Sequence, residues 1–235
     1  MSAPRTPRIA PSLLSADFAD LAGAIRAAEE GRADALHLDV MDGHFVPNIS
    51  FGPAVVKAVR SRTRLPLDVH LMIAEPERYL ESFAKAGGDT LVLHVESQGN
   101  IAALVRRVRD LGAHPGIAIS PDTPLERIAP LIPEVDEVIV MSVYPGFSGQ
   151  SFLPQALVRL GAVRKSLDRL ARSVDLSVDG GVTLETAPGA RGAGADFFVC
   201  GNSVYAKGQS PQENLRAMRN VLDSTPVGPP SDPPH

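Results

Sequence analysis

Eight short apolar runs, each followed by a longer stretch of mixed polarity, recur along the whole chain, and this alternation restricts the fold more than any other property of the sequence. The runs fall at 9–13, 35–39, 67–71, 90–94, 114–119, 137–141, 174–179 and 196–200. Between them apolar residues recur at helical spacing, as at 18–30, 76–86, 101–111 and 157–171. The segment 125–131 carries Pro130 and reads as a short or broken helix, because proline lacks the amide hydrogen and clashes with the preceding turn. Strands joined by helices pair in parallel, since the crossover returns the chain to the same end of the sheet. Eight such units without interruption predict a closed TIM (β/α)8 barrel of the α/β class rather than an open doubly wound sheet. No Gly-x-Gly-x-x-Gly follows the first run, which argues against a dinucleotide-binding fold.

The length of 235 residues suits one such barrel, which takes about 200–250. The barrel is expected over 8–224, after an N-terminal extension at 1–7 and before a flexible, proline-rich tail at 225–235. A net charge of −4 leaves no basic footprint for nucleic acid or anionic lipid, so neither is an expected partner. The opening Met-Ser-Ala-Pro-Arg-Thr-Pro-Arg has no apolar core of a secretory signal, and no apolar run nears the ~18 residues that span a bilayer. One cysteine, Cys200, excludes an internal disulfide and fits a reducing compartment, so the cytoplasm is expected.

In a barrel of this kind the chemistry sits at the C-terminal ends of the strands. The second run continues Leu36-His37-Leu38-Asp39-Val40, and period-two alternation separates the leucines and valine from His37 and Asp39. The apolar set faces the helices, so His37 and Asp39 point into the barrel mouth. The third run sends His70 inward by the same argument, and the seventh ends on Asp179. Two histidines and two aspartates from strands 2, 3 and 7 can therefore converge. A buried imidazole beside a buried carboxylate is costly unless paired or metal-bound, and this mixed donor set suits one divalent cation, Zn²⁺, Fe²⁺, Mn²⁺ or Co²⁺. His94, taken alone, reads as a core histidine, while His44 and His114 carry no expected role.

Three glycine-bearing loops share that rim. Gly180-Gly181 lead into Thr183-Leu184-Glu185 and are expected to open a helix whose free N–H groups hold an anion. Gly201-Asn202-Ser203 makes a second such turn, and Gly146-Phe147-Ser148-Gly149 follows strand 6. Loops after strands 7 and 8 are where such barrels bind phosphate. Met41, Met72 and Met141 lie at or just beyond strand ends on the same rim.

The segments 9–18 (Ile-Ala-Pro-Ser-Leu-Leu-Ser-Ala-Asp-Phe), 37–47 (His-Leu-Asp-Val-Met-Asp-Gly-His-Phe-Val-Pro), 68–72, 141–152 and 178–181 resemble ribulose-phosphate 3-epimerases. The match reaches the last helix and leaves only the tail outside. The resemblance implies the ribulose-phosphate-binding type of barrel, with one divalent metal on His37, Asp39, His70 and Asp179. It implies that Asp39 and Asp179 are also the acid and base, and that Ser12 and His70 touch substrate. Gly146–Gly149, with Phe147 and Ser148, would carry phosphate and nearby hydroxyls together with Asp179, Gly180, Gly181, Gly201 and Asn202. Met41, Met72 and Met141 would form an apolar cap over the metal, and a homo-oligomer is suggested.

The implied reaction interconverts D-ribulose 5-phosphate and D-xylulose 5-phosphate by two-base proton transfer at C3. Tyr144, Ser148 and Asn202 depart from the usual pattern, and if position 148 needs a positive φ, serine costs ~1–2 kcal/mol there. Related epimerases of hexulose 6-phosphates vary at these places too, so allulose 6-phosphate stands as the alternative substrate. Decarboxylases and aldol-type synthases on this barrel carry Asp-x-Lys-x-x-Asp, whereas Asp39-Val40-Met41-Asp42 has no lysine. A Schiff-base aldolase needs an inward strand lysine, and Lys57, Lys85, Lys165 and Lys207 all read as helix or loop. A non-catalytic sugar-phosphate-binding module would leave a metal site with two acids unexplained.

Overall fold

In a computed structural model, which describes residues 6–206 and 208–227, eight parallel strands form a nearly closed barrel. Lys207 and most of the expected extension and tail lie outside the described residues. The strands are β1 (Arg8–Pro11), β2 (Leu36–Met41), β3 (Leu67–Met72), β4 (Thr90–His94), β5 (His114–Ile119), β6 (Glu137–Met141), β7 (Asp175–Asp179) and β8 (Phe197–Cys200). The ladder runs β1-β8-β7-β6-β5-β4-β3-β2, and a single bridge between Ser12 and His37 spans the remaining seam. The helices are α1 (Leu21–Glu30), α2 (Pro53–Arg60), α3 (Leu80–Ala86), α4 (Ile101–Asp110), α5 (Gln155–Leu167), α6 (Ala187–Gly192), α7 (Asn202–Tyr205) and α8 (Pro211–Ser224). Between β5 and β6 there are only single 3-10 turns, Leu125–Arg127 and Ile132–Glu134, as the prolines of that segment require.

Local chemistry explains where elements begin and end. Helix α8 starts behind a capping box, in which Ser210 accepts from the Glu213 amide and Glu213 accepts from the Ser210 amide. Helix α4 starts where the Asn100 side chain accepts from the Ala103 amide. Strand β1 stops at Pro11 rather than running on to Leu13, because Ser12 caps a 3-10 turn over Leu13–Ser15. Helix α5 begins and ends earlier than the expected 157–171. Its buried residues run from Ala156 through Leu160 and Val163 to Leu167, and beyond the helix Leu170 still packs, partly buried, against the core.

The alternation of each strand divides two environments. Leu36, Leu38 and Val40 of β2, with Val69 and Leu71 of β3, join the main core between sheet and helices. The inward residues fill the barrel, among them Val92, Ala118, Ile139 and Met141 on one side and Ala10, Phe197 and Val199 on the other. Glu137 also lies in the interior and is 4% exposed. The Ser177 hydroxyl donates to it, yet burial, and then the charge of Asp68, push its carboxyl well above the usual range.

A carboxyl raised in the folded state contributes its stability fully below the unfolded pKa of about 4.3, and loses it as pH rises through the folded value. Glu137→Gln keeps the shape without the charge. Its melting temperature should match wild type at acid pH and increasingly exceed it as pH rises; parallel Tm–pH curves in calorimetry would refute the assignment.

Candidate active site

The strand register sets the four expected donors side by side. Asp39 of β2 pairs with His70 of β3, His37 with Asp68, and Met41 with Met72, while Asp179 ends β7 beside Met141. His37 Nε2 lies 3.3 Å from Asp39 Oδ1 and 3.9 Å from Asp179 Oδ2. His70 Nδ1 lies 3.3 Å from Asp39 Oδ1 and 3.4 Å from Asp179 Oδ2. One donor atom from each residue falls within 4.8 Å of every other, so the group can hold a metal ion.

Two observations test whether the group fits a metal rather than being a self-satisfied polar cluster. His37 Nε2 and His70 Nδ1 are buried nitrogens with no hydrogen bond of normal geometry, and both face the same two carboxylate oxygens. A tetrahedral site with arms of about 2.0–2.1 Å has edges of about 3.3–3.4 Å, which three of these four distances match. The group fits a divalent cation. Burial opposes charge on both histidines, but Asp39 and Asp68 raise His37 well above its ordinary pKa, and Asp179 and Asp39 raise His70. Burial likewise disfavours the Asp39 carboxylate, and His37, followed by His70, holds it well below the usual range.

The second nitrogen of each histidine is anchored. His37 Nδ1 lies 2.7 Å from Asp68 Oδ2. His70 Nε2 lies 2.9 Å from His94 Nε2, and His94 Nδ1 lies 2.9 Å from Glu96 Oε2. Ser12 donates to Asp39 Oδ2 at 2.5 Å, leaving Oδ1 to the histidines. Sequence reasoning missed Asp68, His94 and Glu96 as parts of this site. The signal for Asp68 lay two residues before His70, on the same inward face of the strand.

Above the group lies a cavity. Ser12, Asp39 and Asp179 line it, as do all of Gly146, Phe147, Ser148 and Gly149, the pair Gly180 and Gly181, and Gly201 with Asn202. His37 and His70 sit beneath this wall, fully buried. Met41, Met72 and Met141 all reach the cavity, but in two groups: Met41 and Met72 pack with Val46, whereas Met141 packs with Val143 and Ile139. Thr183 and Ser203, quoted in the sequence as parts of the glycine turns, also line it, as does Ser15, which was given no role there.

The expected helix at Gly180-Gly181 is not there. Helix α6 starts only at Ala187, because Thr183 and Thr186 close a turn through their hydroxyls first. Glycine is required at 181 for another reason: φ is +61°, and a Cβ would lie 2.5 Å from the Phe152 amide nitrogen. At Gly149 a Cβ would lie 2.8 Å from Nδ2 of the Asn202 side chain, so the strand-6 loop closes on the side chain of the strand-8 turn. Ser148 is free of the strain considered for it, since Arg32 is the one non-glycine residue with positive φ among the described residues. Tyr144 donates to Asp122 Oδ2 at 2.8 Å, Gln150 donates to the carbonyls of Tyr144 and Phe147, and Asn48 donates to that of Gly146. These bonds fix the strand-6 loop over the cavity.

Comparison with known proteins agrees with this geometry. Residues 8–205 match the model of the ribulose-phosphate 3 epimerase family. The ribulose-phosphate 3-epimerase of Bacillus subtilis is 45% identical over 207 residues, 88% of this chain and 94% of its own. That of Mycobacterium tuberculosis is 43% identical over 213 residues, 91% of this chain and 92% of its own. Among solved structures, 3-keto-L-gulonate-6-phosphate decarboxylase from Vibrio cholerae superposes with a TM-score of 0.70 at 15% identity, covering 94% of this chain and 99% of that one. Orotidine 5'-phosphate decarboxylase from Pyrococcus horikoshii gives 0.64 at 17% identity, covering 92% and 99%. At such identities the two structures speak for the barrel alone.

Proposed function

The chain belongs to the ribulose-phosphate 3-epimerase family, and on that premise we propose that it interconverts D-ribulose 5-phosphate and D-xylulose 5-phosphate. The observation that carries this reading is the pair of carboxylates, Asp39 and Asp179. They come from strands on different sides of one cavity and lie within 4.8 Å of each other and of two buried histidine nitrogens. Epimerisation next to a ketone removes the C3 proton from one face and returns a proton to the other, so it needs two such groups.

Asp39 accepts the proton of the ribulose form, and Asp179 supplies one to the opposite face; the reverse reaction exchanges their roles. Ser12, hydrogen-bonded to Asp39 Oδ2, orients that carboxylate toward its task. A divalent cation on His37, Asp39, His70 and Asp179 supplies, when bound, Lewis-acid stabilisation of the negative charge that builds on substrate oxygens. Met41, Met72 and Met141 keep water from the reacting carbon. No lysine or arginine lines the cavity among the described residues, so the phosphate is held by backbone N–H groups and hydroxyls of Gly146–Gly149, Gly180–Gly181 and Gly201–Asn202.

No helix among the described residues is long and apolar enough to cross a membrane, and the one cysteine is buried. We place the enzyme in the cytoplasm, in pentose phosphate metabolism, as a homo-oligomer on the family's example.

The test is incubation of metal-loaded protein with D-ribulose 5-phosphate in D₂O, with C3 followed by proton NMR. Xylulose 5-phosphate carrying deuterium at C3, and none after chelation, is the expected result. Silence of the loaded protein would remove the pentulose assignment and turn the assay to hexulose 6-phosphates.

A further inference from the structure

His94 closes β4 with its ring fully buried, Phe45 packed against it at 4.8 Å between centroids. The 2.9 Å contact between its Nε2 and His70 Nε2 is a hydrogen bond and requires one ring to donate and the other to accept. Glu96 decides which. Its Oε1 accepts from the Ser120 amide at 2.9 Å, and its Oε2 faces His94 Nδ1 at 2.9 Å. One carboxyl oxygen is thus taken by a backbone donor, and a carboxylate offers only acceptors to the ring that faces the other. His94 must then carry its proton on Nδ1. With Nδ1 as its donor, His94 meets the one-donor, one-acceptor requirement of the Nε2–Nε2 contact by accepting there, which makes His70 Nε2 the donor. What remains at His70 is the lone pair of Nδ1, the atom turned toward Asp39 and Asp179.

We propose that Glu96, acting through His94, is a positioning pair that fixes the tautomer and orientation of His70 so that its Nδ1 lone pair is presented to a divalent cation. This rests on reading His37, Asp39, His70 and Asp179 as a metal site. The two metal-facing histidines are thus anchored differently: Asp68 holds His37 directly, while Glu96 reaches His70 through a second imidazole. Because Glu96 also binds the backbone at Ser120, the orientation of His70 is tied to the loop that follows β5. Outer partners of this kind typically set metal affinity by about 10–100-fold.

Glu96→Gln separates this from a plain core role. The amide is the same size but has one acceptor oxygen, so it can serve Ser120 or His94, not both, and its NH₂ favours the reversed relay that puts a proton on His70 Nδ1. His94→Phe removes the acceptor for His70 altogether, whereas His94→Gln restores an acceptor near the position of Nε2. The full chain is loaded with Co²⁺, and the visible absorption bands and the rate of stripping by a chelator are recorded, with the melting temperature of the chelated form as the fold control.

Glu96→Gln and His94→Phe should lose Co²⁺ about 10–100-fold faster with altered bands, and His94→Gln should recover much of the difference. Bands and stripping rates equal to wild type in Glu96→Gln, with any change confined to chelated-form stability, would overturn the proposal. If His94→Phe fails to fold, Glu96→Gln carries the test alone. A wild type that holds no Co²⁺ would overturn the metal reading itself, whereas a wild type that holds it no better than the variants overturns only the relay.

Discussion

Asp179→Asn should lower the rate of epimerisation by about 10³-fold or more and yet leave one half-reaction alive. A positioned acid or base contributes about 10²–10⁴-fold, and each tenfold loss is about 1.36 kcal/mol on the barrier. With Asp179 replaced, Asp39 can still take the C3 proton of ribulose 5-phosphate and return it to the same face, exchanging it with solvent on the way. The variant should therefore wash deuterium into C3 of ribulose 5-phosphate without forming xylulose 5-phosphate. Asp39→Asn should do the converse, exchanging only the xylulose form.

This reciprocal pattern belongs to two bases on opposite faces and to nothing simpler. A single base serving both faces would leave one variant fully active and the other dead toward both epimers. Since each aspartate is also a proposed metal ligand, bound metal must be measured alongside, and only variants that retain it decide the point. Neither change threatens the fold through packing: Asp179 ends its strand at the cavity, and Asn keeps its volume. Full turnover in either variant would end the two-base mechanism.

The clustering of His37, Asp39, His70 and Asp179 was legible because strand alternation is a rigid rule. Once Leu36, Leu38 and Val40 are assigned to the helices, His37 and Asp39 have only the barrel to point into. The closed sheet was legible for a similar reason, since eight strand–helix units leave few topologies. What stayed hidden depends on contacts between distant loops. Glu96 sits in a polar Glu-Ser-Gln-Gly-Asn stretch that reads as solvated surface, and only the fold brings Ser120 to it across 24 residues. His94 is ambiguous from sequence because its role lies entirely in what stands on either side of it. Gly180-Gly181 misled in the opposite way: glycines ahead of a Thr-x-x-Thr segment suggest a helix start, but the threonine hydroxyls capture the backbone and delay the helix to Ala187.

Removing the metal should abolish turnover but leave a folded protein, and the stability difference between the loaded and chelated forms should widen as pH rises. A ligand that binds only the folded state at 100 times its Kd stabilises by about 2.7 kcal/mol, which for a chain of this size raises Tm by roughly 5–10 °C. The pH dependence follows from the histidines. In the metal-free protein His37 and His70 are both raised above their ordinary pKa by the adjacent carboxylates, so protons and metal compete for the same two nitrogens.

For the chelated form, a raised histidine pKa contributes stability that is fully present below about 6.5 and is lost as pH climbs through the folded-state values. For the loaded form the sign is reversed, because each proton that metal must displace weakens binding by about tenfold per unit of falling pH. The two curves therefore separate toward alkaline pH and converge toward acid. Calorimetry of both forms from pH 5 to 9, at fixed free metal, measures the separation directly. A gap that is independent of pH would mean that the titrating nitrogens of His37 and His70 are not the ligands, whatever the activity of the loaded enzyme.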